Sequence, residues 1–165
     1  MQIRRGFYLH KIIEKKDNGR VKIITGIRRC GKSYLLFHLY RDYLLSSGVE
    51  DGQIISIALD EIDTLEYRNP FKLNDYIKEK TQDETKKYYV FIDEIQLSIA
   101  VKNPYLESDE KTVTFVDVLL GLMKRDNLDI YVTGSNSKML SRDVLTQFRD
   151  RGDEIHINPL SFAEV

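Results

Sequence analysis

Eight residues, Gly26-Ile27-Arg28-Arg29-Cys30-Gly31-Lys32-Ser33, constrain this chain more than any others. Their spacing is G-x-x-x-x-G-K-S, and the stretches on either side differ in kind. Val21-Lys22-Ile23-Ile24-Thr25 ahead of them is rich in β-branched residues, as a short strand is. Behind them, Leu35, Leu36, Leu39, Tyr43 and Leu44 recur at helical spacing between Tyr34 and Leu45. A strand turning through glycines into a helix is the setting in which this spacing binds phosphate. Gly26 and Gly31 permit conformations and close approaches that a Cβ would block. The amides of the loop, from Gly26 through Ile27, Arg28, Arg29, Cys30, Gly31, Lys32 and Ser33 to Tyr34, then form a concave nest for phosphate oxygens. Unpaired N–H groups at the helix start add partial positive charge. Lys32 is suited to reach the β and γ phosphates, and the Ser33 hydroxyl to ligate Mg²⁺. Arg28 and Arg29 either lean on phosphates or face solvent, and Cys30 reads as a small loop residue.

A second stretch, Tyr88-Tyr89-Val90-Phe91-Ile92-Asp93-Glu94, is an apolar strand ending in two adjacent carboxylates, about 60 residues after the loop. Asp93 is the candidate to hold Mg²⁺ through water, and Glu94 the candidate general base for an attacking water. Neighbouring strand residues point to opposite sides, so both carboxylates can serve one site only where the backbone turns. Farther on, Asp129-Ile130-Tyr131-Val132-Thr133 reads as a strand, followed by Gly134-Ser135-Asn136-Ser137. Ser135 or Asn136 is a candidate reader of the γ-phosphate; the alternative is a polar turn that caps the next helix. Arg149 and Arg151 are candidates to reach a neighbouring subunit's γ-phosphate, against local pairing with Asp150, Asp153 or Glu154.

The rest of the chain supplies a frame. Residues Met1 to Gly19 read as a helical lead-in closed by the turn Asp17-Asn18-Gly19. Arg4, Arg5 and Tyr8 are either a wall for a nucleotide base or part of a helix packed on the sheet. Gln53 to Leu59 is a nearly continuous apolar strand, and Asp60-Glu61-Ile62-Asp63 after it either faces the site or is a solvated loop. Pro70 to Thr81, Phe115 to Arg125 and Lys138 to Phe148 read as helices, Ser98 to Thr114 as irregular, and Glu154 to Ile157 as a fifth strand. With 165 residues, 42% of them hydrophobic, the chain suits one folded domain. Lys+Arg 25 against Asp+Glu 26 leaves no basic surplus for nucleic acid. A single cysteine excludes an intramolecular disulfide framework, and His10, His38 and His156 are too scattered for a metal cluster. No apolar run approaches a membrane span and the N-terminus has no signal-peptide core, so a cytoplasmic protein is the simplest reading.

GIRRCGKS, FIDEIQ, YVTGSNSKML and NPLSFAEV, in this order, resemble a large group of prokaryotic AAA-type predicted ATPases over essentially the whole chain. The resemblance implies an α/β P-loop NTPase, a three-layer α/β/α sandwich with a five-stranded parallel sheet of order 5-1-4-3-2. It implies ATP and Mg²⁺ as cofactors, with Lys32 and Ser33 in Walker A, Asp93 and Glu94 in Walker B, and Ser135 or Asn136 as first sensor. It also implies that residues 1–165 are one AAA-type domain of a longer protein, whose lid and nuclease-like C-terminal domain lie beyond it. The S-x-x-E capping box at Ser161 to Glu164 fits a helix start at the chain's end. The group carries Gly-Arg before its last strand, where this chain has Phe148-Arg149-Asp150-Arg151-Gly152, so both arginines stay candidates. The expected function is Mg²⁺-dependent ATP hydrolysis that drives a partner or a C-terminal domain, with homo-oligomerisation through an arginine finger. A slow nucleotide switch is the alternative. A small-molecule kinase fits less well, because Asp93-Glu94 suits attack by water.

Overall fold

The computed structural model describes residues 2–26, 31–103, 112–135, 148 and 151–157; the side chains of residues 2–5 and of Ser135 lie outside that description. In chain order, α1 (Gln2–Lys15) leads into β1 (Val21–Gly26). A continuous helical run follows as α2 (Lys32–Tyr34), a π-helical section Leu35–Tyr40, and α3 (Arg41–Ser46). Next come β2 (Ile54–Ala58), a 3₁₀ turn Ile62–Arg68, α4 (Pro70–Lys80), β3 (Tyr88–Asp93) and a 3₁₀ turn Ile95–Leu97. The two-residue strands β4 (Val101–Lys102) and β5 (Thr112–Val113), α5 (Phe115–Leu122), β6 (Leu128–Ser135) and β7 (Gly152–His156) complete the described elements.

Five strands form one sheet in the order β2-β3-β6-β1-β7, and every pairing in it is parallel. Without the separate β4–β5 hairpin, this is the expected 5-1-4-3-2. Helices cover both faces, which is why the strands are apolar on both sides. Val21, Ile23, Val90, Ile92, Ile130 and Val132 pack against Leu73 and Ile77 of α4 and Leu119 and Leu122 of α5. On the other face, Ile24, Phe91, Tyr131 and Ile155 meet Tyr8 and Ile12 of α1 and the row Leu36, Tyr40, Leu44. Each fully buried aliphatic side chain contributes roughly 1.5–3 kcal/mol.

Local chemistry sets the element ends. Asn69 caps α4 by accepting from the Phe71 amide at 2.9 Å, with Pro70 in the first helical position. Thr114 and Asp117 form a capping box at the start of α5. The turn after α1 uses left-handed backbone at Asp17 (φ +61°) and Gly19 (φ +78°).

Three expectations need correction. The segment read as irregular contains the β4–β5 hairpin, whose pairs Val101↔Val113 and Lys102↔Thr112 each carry a β-branched residue. The last sheet strand begins at Gly152 rather than Glu154, because pairing with β1 starts at Val21↔Gly152. Tyr40, which the apolar periodicity passes over, is fully buried, whereas Leu39 and Tyr43 are only half-buried. The wider π-helical section keeps the i, i+4 row Leu36–Tyr40–Leu44 in line. The helix expected from Lys138 falls outside the described residues, apart from Phe148, which is buried against Phe115.

Candidate functional site

Because all five strands run the same way, the carboxyl ends of β1, β3 and β6 lie side by side. That is where parallel α/β sheets place their ligand sites. β1 delivers Gly26, with φ +152°, and the helical run begins after Gly31, with φ +94°. Both values lie where a Cβ would be strained. The Gly31 carbonyl accepts from the Leu35 amide at 2.9 Å and so starts the helix. Lys32 is buried, and its Nζ donates to the Gly26 carbonyl at 3.0 Å, tying the end of the loop to its beginning. Ile27, Arg28, Arg29 and Cys30, between the glycines, are outside the described residues. Tyr34 is exposed and stacks on His38 at 5.1 Å between ring centroids.

The expected pair of Ser33 and Asp93 is assembled. Ser33 Oγ donates to Asp93 Oδ1 at 2.8 Å and lies 2.9 Å from Oδ2. Asp93 is the last residue of β3 and is buried. Glu94 then leaves the strand in left-handed backbone, φ +58° and ψ +49°, and caps the 3₁₀ turn. A bend of this kind is what strand geometry requires if two adjacent carboxylates are to face one site. A non-glycine residue held there costs on the order of 1–3 kcal/mol, a strain that gathers at functional positions. The half-buried Glu94 side chain accepts a hydrogen bond from the Gln96 amide.

Thr133 was not among the sequence-derived candidates. It stands on β6 one position beyond the Ile92↔Val132 pair, fully buried. Its hydroxyl donates to Asp93 Oδ1 at 2.5 Å and accepts from the Glu94 amide at 3.0 Å. The signal was in the sequence: Asp129, Tyr131 and Thr133 form a polar row alternating with Leu128, Ile130 and Val132. Gln96, in the same short turn as Glu94, was also passed over. Ser135 ends β6 opposite Gly26, at the site end of the sheet, while Asn136 and Arg149 fall outside the described residues.

The remaining candidates lie elsewhere. Tyr8 is buried in the core, so it packs on the sheet rather than walling a base; the side chains of Arg4 and Arg5 are not described. Arg151 is exposed just before β7, where Gly152 pairs with Val21. That is the amino end of the sheet, opposite Asp93. Within the acidic stretch 60–63, the side chains are exposed, and the following turn is held by Thr64 Oγ1 to the Ala58 carbonyl at 2.6 Å. His10 pairs with Glu14, and His156 Nδ1 lies 3.1 Å from Thr25 Oγ1.

A glycine-flanked loop, a lysine tied back to its first glycine, and a serine–aspartate pair at the carboxyl ends of a parallel sheet define the phosphate-binding-loop class of nucleotide-binding proteins. Residues 18–165 match the AAA domain family, and the chain belongs to that family. It is 35% identical over 162 residues to an uncharacterized protein of Haemophilus influenzae, covering 98% of this chain and 37% of that protein. An uncharacterized protein of Methanocaldococcus jannaschii is 31% identical over 149 residues, covering 88% and 28%. The chain thus spans about a third of the length of these relatives. Among solved structures, a DNA polymerase III gamma subunit-related protein of Thermotoga maritima superposes with a TM-score of 0.59 at 13% identity, covering 91% of this chain and 44% of that one. That likeness is one of fold. Among the described residues, no helix is long and apolar enough to cross a membrane.

Proposed function

We propose that residues 1–165 form one AAA nucleotide-binding module that hydrolyses ATP and acts on a partner or on further domains of a longer cytoplasmic protein. The observation that carries this reading is the Ser33 hydroxyl resting on both Asp93 oxygens, with Lys32 beside one residue and Glu94 beside the other. The donor set of hydroxyl and carboxylate oxygens suits a hard cation that prefers oxygen. Mg²⁺, held by Ser33 and through water by Asp93, would offset charge on the β and γ phosphates. The loop amides bind the phosphate oxygens, and Lys32 neutralises charge on the β and γ groups. Glu94 takes a proton from water as the water oxygen bonds to the γ-phosphorus and the β–γ bridge breaks, releasing ADP and phosphate. Ser135 or Asn136, at the end of β6, orients the γ-phosphate or the water.

Arg151 supports a second feature. It stands at the opposite end of the sheet from Asp93, away from this chain's own site. That leaves a neighbouring copy's γ-phosphate or local pairing, and we take it with Arg149 as a candidate for the former. An arginine supplied in trans is worth ~10³–10⁵ in rate. The isolated chain is then a slow, switch-like hydrolase that accelerates in a homo-oligomer.

The test is phosphate release from the intact protein with and without Glu94→Gln. Loss of the general base should lower kcat by roughly 10²–10⁴ while ATP still binds. Equal hydrolysis by the two proteins would remove Glu94 from the mechanism. Transfer of γ-phosphate to an acceptor other than water would revive the kinase reading.

A further inference from the structure

The geometry points to Thr133 as the positioning residue that sets Asp93 and Glu94 together at the end of β3. This role deepens the hydrolytic reading above and rests on it. One hydroxyl makes both connections. It donates to the Asp93 carboxylate at 2.5 Å and accepts the Glu94 backbone N–H at 3.0 Å. A threonine hydroxyl has one proton to give and lone pairs to receive, so both capacities are used in opposite directions on adjacent residues.

The arrangement has mechanical consequences. Thr133 is fully buried on β6, a strand paired on both sides, at Ile24↔Thr133 and beside the Ile92↔Val132 pair. Its β-branched side chain has little χ1 freedom, so the hydroxyl is a fixed point. Asp93 rotates less freely because Thr133 and Ser33 hold it from two directions. Glu94 is in left-handed backbone that a glutamate leaves readily unless something retains it. Its amide bond to Thr133 is such a restraint. The Glu94 carboxylate is thereby aimed by a residue on a different strand, which never needs to meet nucleotide or water. Were Thr133 a packing residue only, valine of nearly the same shape would serve as well.

That difference is the test. In the intact protein, ATP affinity is measured with EDTA and with Mg²⁺, phosphate release is resolved into kcat and KM, and exchange of the Glu94 amide is followed without nucleotide. Thr133→Val is expected to bind ATP in EDTA like wild type and to lose most of the affinity gained on adding Mg²⁺. Its kcat should fall roughly 10- to 100-fold, the size expected for lost hydrogen bonds to charged or strained groups, and its KM for MgATP should rise in step with the Mg²⁺-dependent affinity lost. The Glu94 amide should exchange faster. Thr133→Ser, which keeps the hydroxyl but loosens its rotamer, should recover most of each effect. If Thr133→Val fails to fold, Thr133→Ala removes the same hydroxyl and carries the same expectations. Wild-type kcat, Mg²⁺ gain and amide protection in a folded hydroxyl-free variant overturn the proposal, as does a Thr133→Ser protein no better than Thr133→Val. If wild type itself does not hydrolyse ATP, the ATPase reading fails, and the Mg²⁺ gain and Glu94 exchange still decide the role of Thr133.

Discussion

The two ends of β6 use one polar row in opposite ways. At the amino end, Asp129 accepts from the Lys22 ammonium at 2.5 Å, from the Tyr131 hydroxyl at 2.5 Å and from the Asp17 amide at 3.0 Å. Tyr131 in turn contacts the Tyr40 hydroxyl at 2.5 Å, and Lys22 also donates to Asn18 Oδ1 and the Arg20 carbonyl. At the carboxyl end, Asp93 is held among the described residues by the neutral hydroxyls of Ser33 and Thr133. One buried carboxylate has its cation built in; the other is met by hydroxyls, the arrangement on which the proposed Mg²⁺ role of Asp93 rests. The parallel extends to the backbone. Asp17 and Glu94, the non-glycine residues with positive φ among those described, are each pinned through their amides to a β6 side chain, Asp129 and Thr133 respectively. The same device closes a network at one end and poises carboxylates at the other.

Removing a charge from the closed end should have the largest effect on stability. Asp129→Ala leaves the buried Lys22 ammonium without its counter-charge and should cost about 3–5 kcal/mol in a denaturant titration. A cost below about 1 kcal/mol would show that the amino end is not closed. Asp93→Asn sharpens the contrast from the other side. The amide oxygen still accepts from the hydroxyls, so stability should stay within about 1 kcal/mol of wild type. On the proposed function, melting curves with ADP should show added Mg²⁺ stabilising wild type but not the variant. A large loss of stability without ligand would make the two ends alike.

The smallest effects belong to the tyrosines. Tyr40→Phe deletes one buried hydrogen bond and should cost about 1 kcal/mol. Burial pushes the hydroxyls of both Tyr40 and Tyr131 well above the ordinary tyrosine value of 10.0, and the Asp129 charge adds to the shift. A folded-state pKa raised in this way gives stability that is whole below pH 10 and is lost as pH rises further. In the unfolded chain these tyrosines ionise there, whereas the folded ones resist. Denaturation midpoints measured from about pH 9 upward should fall less steeply for Tyr40→Phe/Tyr131→Phe than for wild type. Parallel curves would mean that the pair is not protected.

Much of this was legible in order along the chain. The spacing around Gly26 to Ser33, the carboxylates ending Tyr88 to Glu94 and the helix start at Pro70 are local signals, and local signals survive without knowledge of neighbours. The demand that Asp93 and Glu94 sit where the strand turns followed from strand geometry, and the structure meets it at Glu94. Thr133 was missed because its role depends on the register of β6 against β3, which no local pattern states. The polar alternation with Asp129 and Tyr131 marked its face of the strand, but only the folded contacts set its hydroxyl against Asp93. Tyr8 failed as a base contact for a similar reason. The lead-in was readable as a helix, but only packing decided that Tyr8, together with Ile12, fills the core while Phe7 is exposed.

The sequence by itself determined the loop, the serine–aspartate pair and the α/β class, because phosphate chemistry requires those residue types at short fixed spacings. The family resemblance carried the strand order, but tertiary structure alone decided the register and contacts that put a completed charge pair at one end of β6 and Asp93 with its hydroxyls at the other. Register is a matter of long-range packing, so residues 40 or 107 positions apart, such as Thr133 with Asp93 and Lys22 with Asp129, meet only in the folded chain.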